Sequence, residues 1–243
     1  MTARLAAAAT ALLCLGTFAP RSALAGDVSG TVVLPRKKAT PPVRSRGFVE
    51  RKPNPLMETR EYDPRPLMVV VLQGGPVDDA AKEPDRSGVK WQLQGESFNV
   101  PLLPIVVGTE IDLKNLGHGS PSLYSPEDAK LIKSEPISPG GVRTIAPKQA
   151  GRAYRVRATD SEHLVGRIVA FGDRYFSRVG SDGSFKIKNV PQGKWKVRVW
   201  YINGFVPKLD TEVEVGRHAK KLEPIKLPSG LDPDGPAGAE KGN

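Results

Sequence analysis

The chain has 243 residues and is basic, with 36 Lys and Arg against 26 Asp and Glu and a formal net charge of +10. Its 39% hydrophobic and 26% charged residues are typical of a globular protein and not of a disordered one. A single Cys excludes a disulfide framework within the chain and any multi-Cys zinc or iron–sulfur site, and three His leave few ligands for other metals.

Residues 1–25 have the pattern of a cleaved secretory signal peptide. Arg4 precedes an apolar run over 5–15, and a small-residue Ala-Leu-Ala site comes directly before Gly26. The run is too short to cross a bilayer, and no later segment of the sequence reaches transmembrane length. Cleavage also removes Cys14, which leaves a thiol-free chain suited to an oxidising compartment. We therefore predict a periplasmic or secreted protein without a transmembrane segment.

The next part of the chain reads as short strands separated by turns and loops. A strand over 28–34 leads into a basic, proline-rich stretch at 35–66, which predicts an extended loop or linker because proline cannot donate to a sheet. The fully apolar run 67–72 predicts a central buried strand, and a polar loop is predicted over 74–97. One helical turn is predicted at 127–132. Further strands are predicted at 98–103, 105–107, 110–114, 122–124, 142–146, 154–158 and 166–171.

A second series of strands follows. Its members are predicted at 175–179, 185–188, 194–201, 212–215 and 222–227. Asp182-Gly183 marks a hairpin turn, because both residues tolerate positive φ. Short strands without amphipathic helical segments predict an all-β sandwich or barrel. Residues 229–243 hold one large apolar side chain, Leu231, which predicts a disordered tail.

Six motifs occur in order along the chain. They are Pro-Ile-Val-Val-Gly-Thr-Glu-Ile-Asp-Leu-Lys-Asn at 104–115, Ser-Leu-Tyr-Ser at 122–125, Gly-Arg-Ile-Val-Ala-Phe at 166–171, Ser-Asp-Gly-Ser-Phe at 181–185, Asn-Val-Pro-Gln-Gly at 189–193 and Val-Trp at 199–200. This framework resembles periplasmic cupredoxin-like proteins of the plastocyanin and methylamine-utilisation type, followed by a carboxypeptidase-regulatory-like β-segment.

The resemblance implies a fold and a domain division. The expected fold is all-β, a cupredoxin-like Greek-key β-sandwich followed by a small β-sandwich-like extension. The cupredoxin-like domain would span 26–172, with the proline-rich basic stretch 35–66 as an insertion. The carboxypeptidase-regulatory-like segment would span 173–228. The sequence leaves open whether the two β-segments share one core.

The resemblance also places a type-1 copper site, which needs a Cys thiolate, two imidazoles and usually an axial Met. The first His position falls on Pro121 or Ser122. The positions of the Cys, the second His and the Met fall on Ala158, Ser161 and Leu164. All four ligands are absent, so we expect no copper cofactor and no electron transfer through such a centre.

Two histidines leave a second metal hypothesis open. His118 and His163 lie in loops that a cupredoxin fold would place at the same end, and Asp160 and Glu162 could add oxygen ligands. This alternative predicts a copper-binding or copper-handling protein. The competing interpretation is that both histidines are ordinary exposed loop residues.

No pattern in the sequence indicates catalysis. Ser-based hydrolysis would need a Gly-x-Ser-x-Gly elbow, and nucleotide-dependent chemistry would need a Walker loop or a Gly-x-Gly-x-x-Gly turn. None of these occurs, and the acids are scattered among polar loops. We therefore predict that the protein is not an enzyme and assign no catalytic residue.

The basic residues are concentrated late in the chain. Between 142 and 200 there are 13 Lys and Arg but four acids. Alternation in two predicted strands puts cations on one face, which favours an anionic partner; the alternative is a solvated outer face that maintains solubility. The predicted anion-binding residues are Lys186, Lys188, Lys194, Lys196, Arg198 and Trp200.

Together these features predict an exported, non-catalytic binding or scaffolding module of the cell envelope. Its partner would be an unknown envelope protein or an anionic envelope polymer, and export argues against nucleic acid. The two alternatives are copper handling through His118 and His163, and binding of an anionic envelope surface through the basic strands.

Overall fold

The computed structural model describes residues 25–35, 63–228 and 231 and consists mostly of β-strands. The predicted signal peptide (except Ala25), most of the proline-rich stretch and most of the predicted tail lie outside the described residues. The strands are β1 (Ala25–Val33), β2 (Met68–Gln73), β3 (Val89–Gln94), β4 (Ser97–Phe98), β5 (Leu102–Val106), β6 (Ile111–Asn115), β7 (Leu123–Tyr124), β8 (Val142–Ile145), β9 (Arg152–Ala158), β10 (Val165–Phe171), β11 (Phe176–Arg178), β12 (Ser184–Pro191), β13 (Gly193–Tyr201), β14 (Gly204–Phe205), β15 (Thr211–Val215), β16 (Lys220–Lys221) and β17 (Ile225–Lys226). The prediction of an all-β fold is confirmed.

Helical structure is limited to two short elements in the described part of the chain. They are a 3-10 turn at Arg65–Leu67 and α1 (Asp79–Lys82). No helix of the described residues is long and apolar enough to cross a membrane.

Strands β3–β10 form what we call the inserted sandwich. One sheet has the order β4-β3-β6-β8 and the other has the order β5-β10-β9-β7. Alternate side chains of both sheets meet in one core, in which Trp91 stacks on Phe98 with ring centroids 4.0 Å apart. Gly166 lies under these rings, and a Cβ there would come within 2.4 Å of the Trp91 ring. The close approach of backbone to indole therefore requires glycine at this position.

The remaining strands form what we call the flanking sandwich. One sheet contains β12, β1 and β16, with β17 also beside β1, and the other has the order β11-β2-β13-β14, with β15 also beside β13. Val28 and Ile187 of the first sheet share a core with Leu72 and Trp195 of the second. This core is separate from that of the inserted sandwich.

The strand pairing departs from the predicted domain division. The sequence-based division places β1 and β2 in the cupredoxin-like domain, whereas β1 pairs with β12 and β2 pairs with β13 of the later segment. The inserted sandwich therefore interrupts the flanking sandwich between β2 and β11. The backbone amide of Leu72 donates to the carbonyl of Tyr175 at 2.9 Å, so the chain leaves and re-enters the flanking sandwich at adjacent points. Such adjacency is what permits one domain to be inserted into another.

The apolar run that the sequence predicts to be a central buried strand is β2, and both of its faces are covered. Met68, Val70 and Leu72 belong to the core of the flanking sandwich. Val69 and Val71 point to the opposite face, where they join a third apolar cluster with Leu102, Val169, Phe171 and Trp200. This third cluster connects β2 and β13 to β5 and β10, so it is the interface between the two sandwiches.

Three local predictions need correction. The predicted loop 74–97 contains α1 and β3, because Trp91 and Leu93 alternate with polar residues and point into a core. Residues 127–132 form bends and a turn, not a helical turn. In the predicted disordered tail, Leu231 packs against the core of the flanking sandwich.

The interface between the sandwiches can be tested by removing its largest side chain. Trp200 is 2% exposed, packs edge-on against Phe171 at 5.7 Å and donates its indole N–H to the carbonyl of Ile202. We expect Trp200→Ala to lower the free energy of unfolding by about 3–5 kcal/mol, because it leaves a cavity in a packed cluster. Urea unfolding followed by circular dichroism measures this.

Val142→Ala is the matched control, since Val142 is 56% exposed. Its effect should stay within about 0.5 kcal/mol. Equal stability losses in the two variants would contradict the buried interface.

Candidate functional site

The four positions that the resemblance assigns to copper ligands come together in the structure. Leu123 lies opposite Ala158 in the pairing of β7 with β9, and the backbone amide of Thr159 donates to the carbonyl of Ser122 at 2.9 Å. Backbone hydrogen bonds also join Ala158 to Leu164 and Leu164 to Ser161, each at 3.4 Å. Residues distant in sequence thus meet at one end of the inserted sandwich.

The side chains at these positions do not fit a copper ion. Ala158 and Leu164 are buried among apolar residues of the core. The remaining positions offer a proline ring and hydroxyl groups, whereas a type-1 site requires a thiolate and imidazoles. We therefore derive no electron-transfer step for this chain.

Asn115 organises the loops around this end of the sandwich. It is fully buried at the end of β6, and its side-chain amide donates to the carbonyls of Gly119 and Ile137, both at 2.7 Å. Its side-chain oxygen accepts the amide of Gly117 at 2.8 Å. The loop that carries His118 is therefore held by a satisfied buried amide and does not need a metal to order it.

Both histidines of the copper alternative lie in exposed loops at this end. His118 precedes Ser122, and His163 follows Thr159, so the hydrogen bond between Ser122 and Thr159 joins the two loops. Within the described residues, no group of three or more His, Cys, Asp or Glu side chains converges. The two histidines consequently do not gain the third, carboxylate ligand that Asp160 or Glu162 was expected to supply.

The predicted basic strip is divided between the two sheets of the flanking sandwich. Lys186 and Lys188 lie on β12, whereas Lys194, Lys196 and Arg198 lie on β13, and these strands belong to different sheets. The alternate residues of both strands, including Ile187 and Val197, point into the shared core. The cations therefore point outward on opposite sides of the sandwich. The chain crosses from one sheet to the other at Gln192, which the alternation pattern did not reveal.

Ion pairs with acidic residues and the burial of Trp200 further reduce the cationic surface of the predicted strip. Lys186 forms an ion pair with Asp27 at 2.8 Å, and Asp210 pairs with Lys196 at 2.7 Å and with Arg198 at 3.1 Å. Lys194 and Lys196 also lie opposite Glu214 and Glu212 of β15. Trp200 is buried in the interface between the sandwiches, so it is not a surface residue of an anion-binding strip.

A groove of about 540 Å³ lies between the two sandwiches. Pro104 and Thr109 line it from the inserted sandwich, Asp85 lines it from the segment between α1 and β3, and Arg174 and Phe176 line it from the flanking side.

Polar groups in this groove bond to one another. The buried Thr109 hydroxyl accepts the amide of Asp85 at 3.1 Å, and the Asp85 carboxylate accepts the hydroxyl and amide of Ser87. These hydrogen bonds, that of the hydroxyl first, lower the pKa of Asp85. Its carboxylate is thus held as an anion within a turn and is poorly suited to proton transfer.

A different group of cations, which was not predicted from the sequence, shares one surface. Arg155 and Arg157 of β9 and Arg167 of β10 point away from the core on the same sheet, with Arg155 directly opposite Arg167. Alternation within β9 could have suggested the first two. The third depends on the register between strands, which a single sequence does not supply.

Comparisons with solved structures find cupredoxins. A purple cupredoxin from Nitrosopumilus maritimus is 17% identical, with 34% of this chain and 98% of that chain covered and a TM-score of 0.30. A mutant amicyanin is 18% identical over 37% of this chain and 88% of its own, with a TM-score of 0.31. A mutant fern plastocyanin is 12% identical over 34% of this chain and 99% of its own, with a TM-score of 0.29.

No family model and no curated protein matches the chain. The carboxypeptidase-regulatory-like character predicted for 173–228 has no counterpart among these three structures. The all-β fold class rests on the strands of this chain.

A half-buried carboxylate beside the groove, that of Asp173, provides a test of the local electrostatics. Burial raises the pKa of Asp173, although the amide of Tyr175 donates to its carboxylate at 3.0 Å and Lys82 partly offsets the rise. At pH values above the ordinary pKa range of carboxyl groups, ionised Asp173 therefore lowers the free energy of unfolding. This effect disappears at low pH, where Asp173 is protonated in both the folded and the unfolded state.

We expect Asp173→Asn to increase the free energy of unfolding at pH 7, because the amide keeps the acceptor without the charge. The difference should vanish below about pH 3. Urea titrations at both pH values measure it. The exposed Asp160→Asn is the control. A loss of stability in Asp173→Asn at pH 7 would contradict this account.

Proposed function

We propose that the chain is an exported, non-catalytic binding or scaffolding module of the cell envelope, built on a cupredoxin-like sandwich without a type-1 copper site. The proposal of export is supported by the signal-peptide pattern of residues 1–25. The proposal of a non-catalytic role is supported by the residues where the resemblance would place metal chemistry.

One observation carries the proposal. Ser122, Ala158, Ser161 and Leu164 meet at one end of the inserted sandwich, where the backbone brings them together but their side chains supply no thiolate, imidazole or thioether. Ala158 and Leu164 instead complete the hydrophobic core. Burial of these side chains favours a stability role for positions that would otherwise hold a metal.

The interface between the sandwiches supports a scaffolding role. Val69, Val71 and Trp200 of the flanking sandwich and Val169 and Phe171 of the inserted sandwich are each at most 5% exposed. A buried apolar interface of this kind restricts relative motion of the two sandwiches. Surfaces on both sandwiches are then presented to a partner, either an envelope protein or an anionic envelope polymer, in a fixed relationship.

Copper binding separates this proposal from the copper alternative. We expect the mature protein to show no Cu(II) binding tighter than about micromolar, because two exposed histidines without a third ligand form a weak site. Titration against a competing chelator, with metal analysis of the purified protein, measures this.

His118→Ala and His218→Ala form a matched pair for that titration, since His218 lies in the flanking sandwich and belongs to neither loop. Stoichiometric copper at submicromolar affinity that is lost in His118→Ala and kept in His218→Ala would establish the copper alternative and overturn the metal-free assignment.

Export has its own test. We expect the chain expressed in a Gram-negative host to appear in the periplasmic fraction, with an intact mass that begins at Gly26. Cleavage there leaves β1 able to pair with β12 from Gly26 opposite Val190. Replacement of Ala25 by a bulky residue should block processing. An uncleaved chain in the cytoplasm would contradict export.

A further inference from the structure

Three arginines form a compact cluster on the outer face of the inserted sandwich. Arg155 and Arg157 are two residues apart on β9, so both point to the same side of the sheet. Arg167 of β10 lies directly opposite Arg155. Tyr154, Val156 and Ile168 alternate with them and point into the core, which fixes the outward direction of the arginines. We call these three residues the arginine triad.

The fold partly buries the triad. All three residues are of intermediate exposure, and the Nε of Arg157 is buried with no hydrogen-bond acceptor among the described residues. Tyr124 lies opposite Arg157 on the other side of β9 and adds an aromatic border. Guanidinium groups that are partly removed from water interact more strongly with an anion than fully solvated groups do.

A carboxylate contacts one member of the triad. Glu127 accepts the backbone amide of Arg155 at 2.9 Å and its Nε at 2.5 Å. Burial alone would raise the pKa of Glu127, but the hydrogen bonds from Arg155 outweigh it and lower that pKa, so the carboxylate is ionised at neutral pH. Glu127 thus holds Arg155 in place. It leaves the buried Nε of Arg157 without an acceptor.

We propose that the arginine triad binds a phosphate group. Glu127 compensates Arg155, whereas the Nε of Arg157 is buried without an acceptor among the described residues, and a bound anion would supply one. A phosphate offers several acceptor oxygens in different directions, which suits three guanidinium groups around one point, whereas a carboxylate offers two oxygens in one plane. The phosphate is either free or the headgroup of an anionic lipid. Phosphate binding by the triad would give the proposed binding module its class of ligand, and the proposal rests on that proposed function.

The triad fits such a ligand better than the strip predicted from sequence. The cations of that strip point away from each other on two sheets, and three of them form ion pairs with Asp27 or Asp210. The triad lies on one sheet, and strand register holds its members together.

Calorimetric titration of the mature protein with inorganic phosphate tests the proposal. Sodium chloride at matched ionic strength controls for screening, and acetate controls for a simple carboxylate. We expect saturable phosphate binding that becomes about ten- to hundredfold weaker in Arg157→Gln, because a charged hydrogen-bond donor is lost. Arg217→Gln removes an exposed cation from the flanking sandwich and should leave phosphate binding unchanged.

A second pair of measurements identifies the source of the phosphate. Co-sedimentation compares vesicles of phosphatidylglycerol with vesicles of phosphatidylcholine. Binding to the former that Arg157→Gln reduces assigns a lipid headgroup, and phosphate binding without vesicle binding assigns a free phosphate. If Arg157→Gln fails to fold, Arg157→Lys keeps the charge but removes the planar donor pair, and it should weaken phosphate binding less.

Absence of phosphate binding in the folded wild-type protein, acetate binding as tight as phosphate, or full binding in folded Arg157→Gln would each overturn the proposal. None of these outcomes affects the copper titration or the processing of the chain, so failure of this site is distinguishable from failure of the proposed function.

Discussion

The pairing of β2 with β13 is the contact on which the rest of the structure depends. Strand β2 is buried on both faces over most of its length, and β13 is buried on both faces over 199–201, so their backbone hydrogen bonds there lie between two hydrophobic clusters. Val70 and Val199 face the core of the flanking sandwich, while Val69 and Trp200 face the inserted sandwich. A single ladder thus takes part in both the core of one sandwich and the interface with the other. Since burial on two faces demands apolar residues at every position, the unbroken run in β2 is a direct consequence of this location.

A strained turn follows β13 beside the interface between the two sandwiches. Ile202 adopts a φ of 54°, which is unfavourable for a β-branched residue. Its side chain is fully buried in the flanking core, and its carbonyl accepts the indole N–H of Trp200 at 3.1 Å. The strain is therefore offset by burial on one side of the ladder and by a hydrogen bond to the interface on the other. These contacts tie the turn to the core of the flanking sandwich and to the interface between the two sandwiches.

Local patterns in the sequence predict most strands, but they do not predict which strands pair. Alternation identified β12 and β13, and the apolar run identified β2, because these signals depend on the residues of one strand. The pairing of β1 with β12 joins residues more than 150 positions apart and carries no local signal. The same limit explains the basic strip: Lys186 and Lys196 were assigned correctly to outward faces, but the crossing between sheets at Gln192 turned those faces in opposite directions. For the copper-ligand positions, the absence of donor side chains was readable from the sequence alone, whereas their convergence required β7 to pair with β9.

One end of the inserted sandwich and the outer face of β9 and β10 differ in their balance of apolar and charged groups. Around Ala158 and Leu164 the sandwich is closed by apolar side chains, and the side-chain amide of Asn115 is already occupied by hydrogen bonds within the described chain. On the outer face of β9 and β10 the opposite holds, since Arg155 faces Arg167 and the Nε of Arg157 is buried without an acceptor in the described chain. The buried Nε of Arg157 is costly to retain without an acceptor, and an apolar side chain at that position would pack there without that cost. The orphaned donor of Arg157 therefore favours this face for the proposed ligand over the end where the resemblance would place a metal.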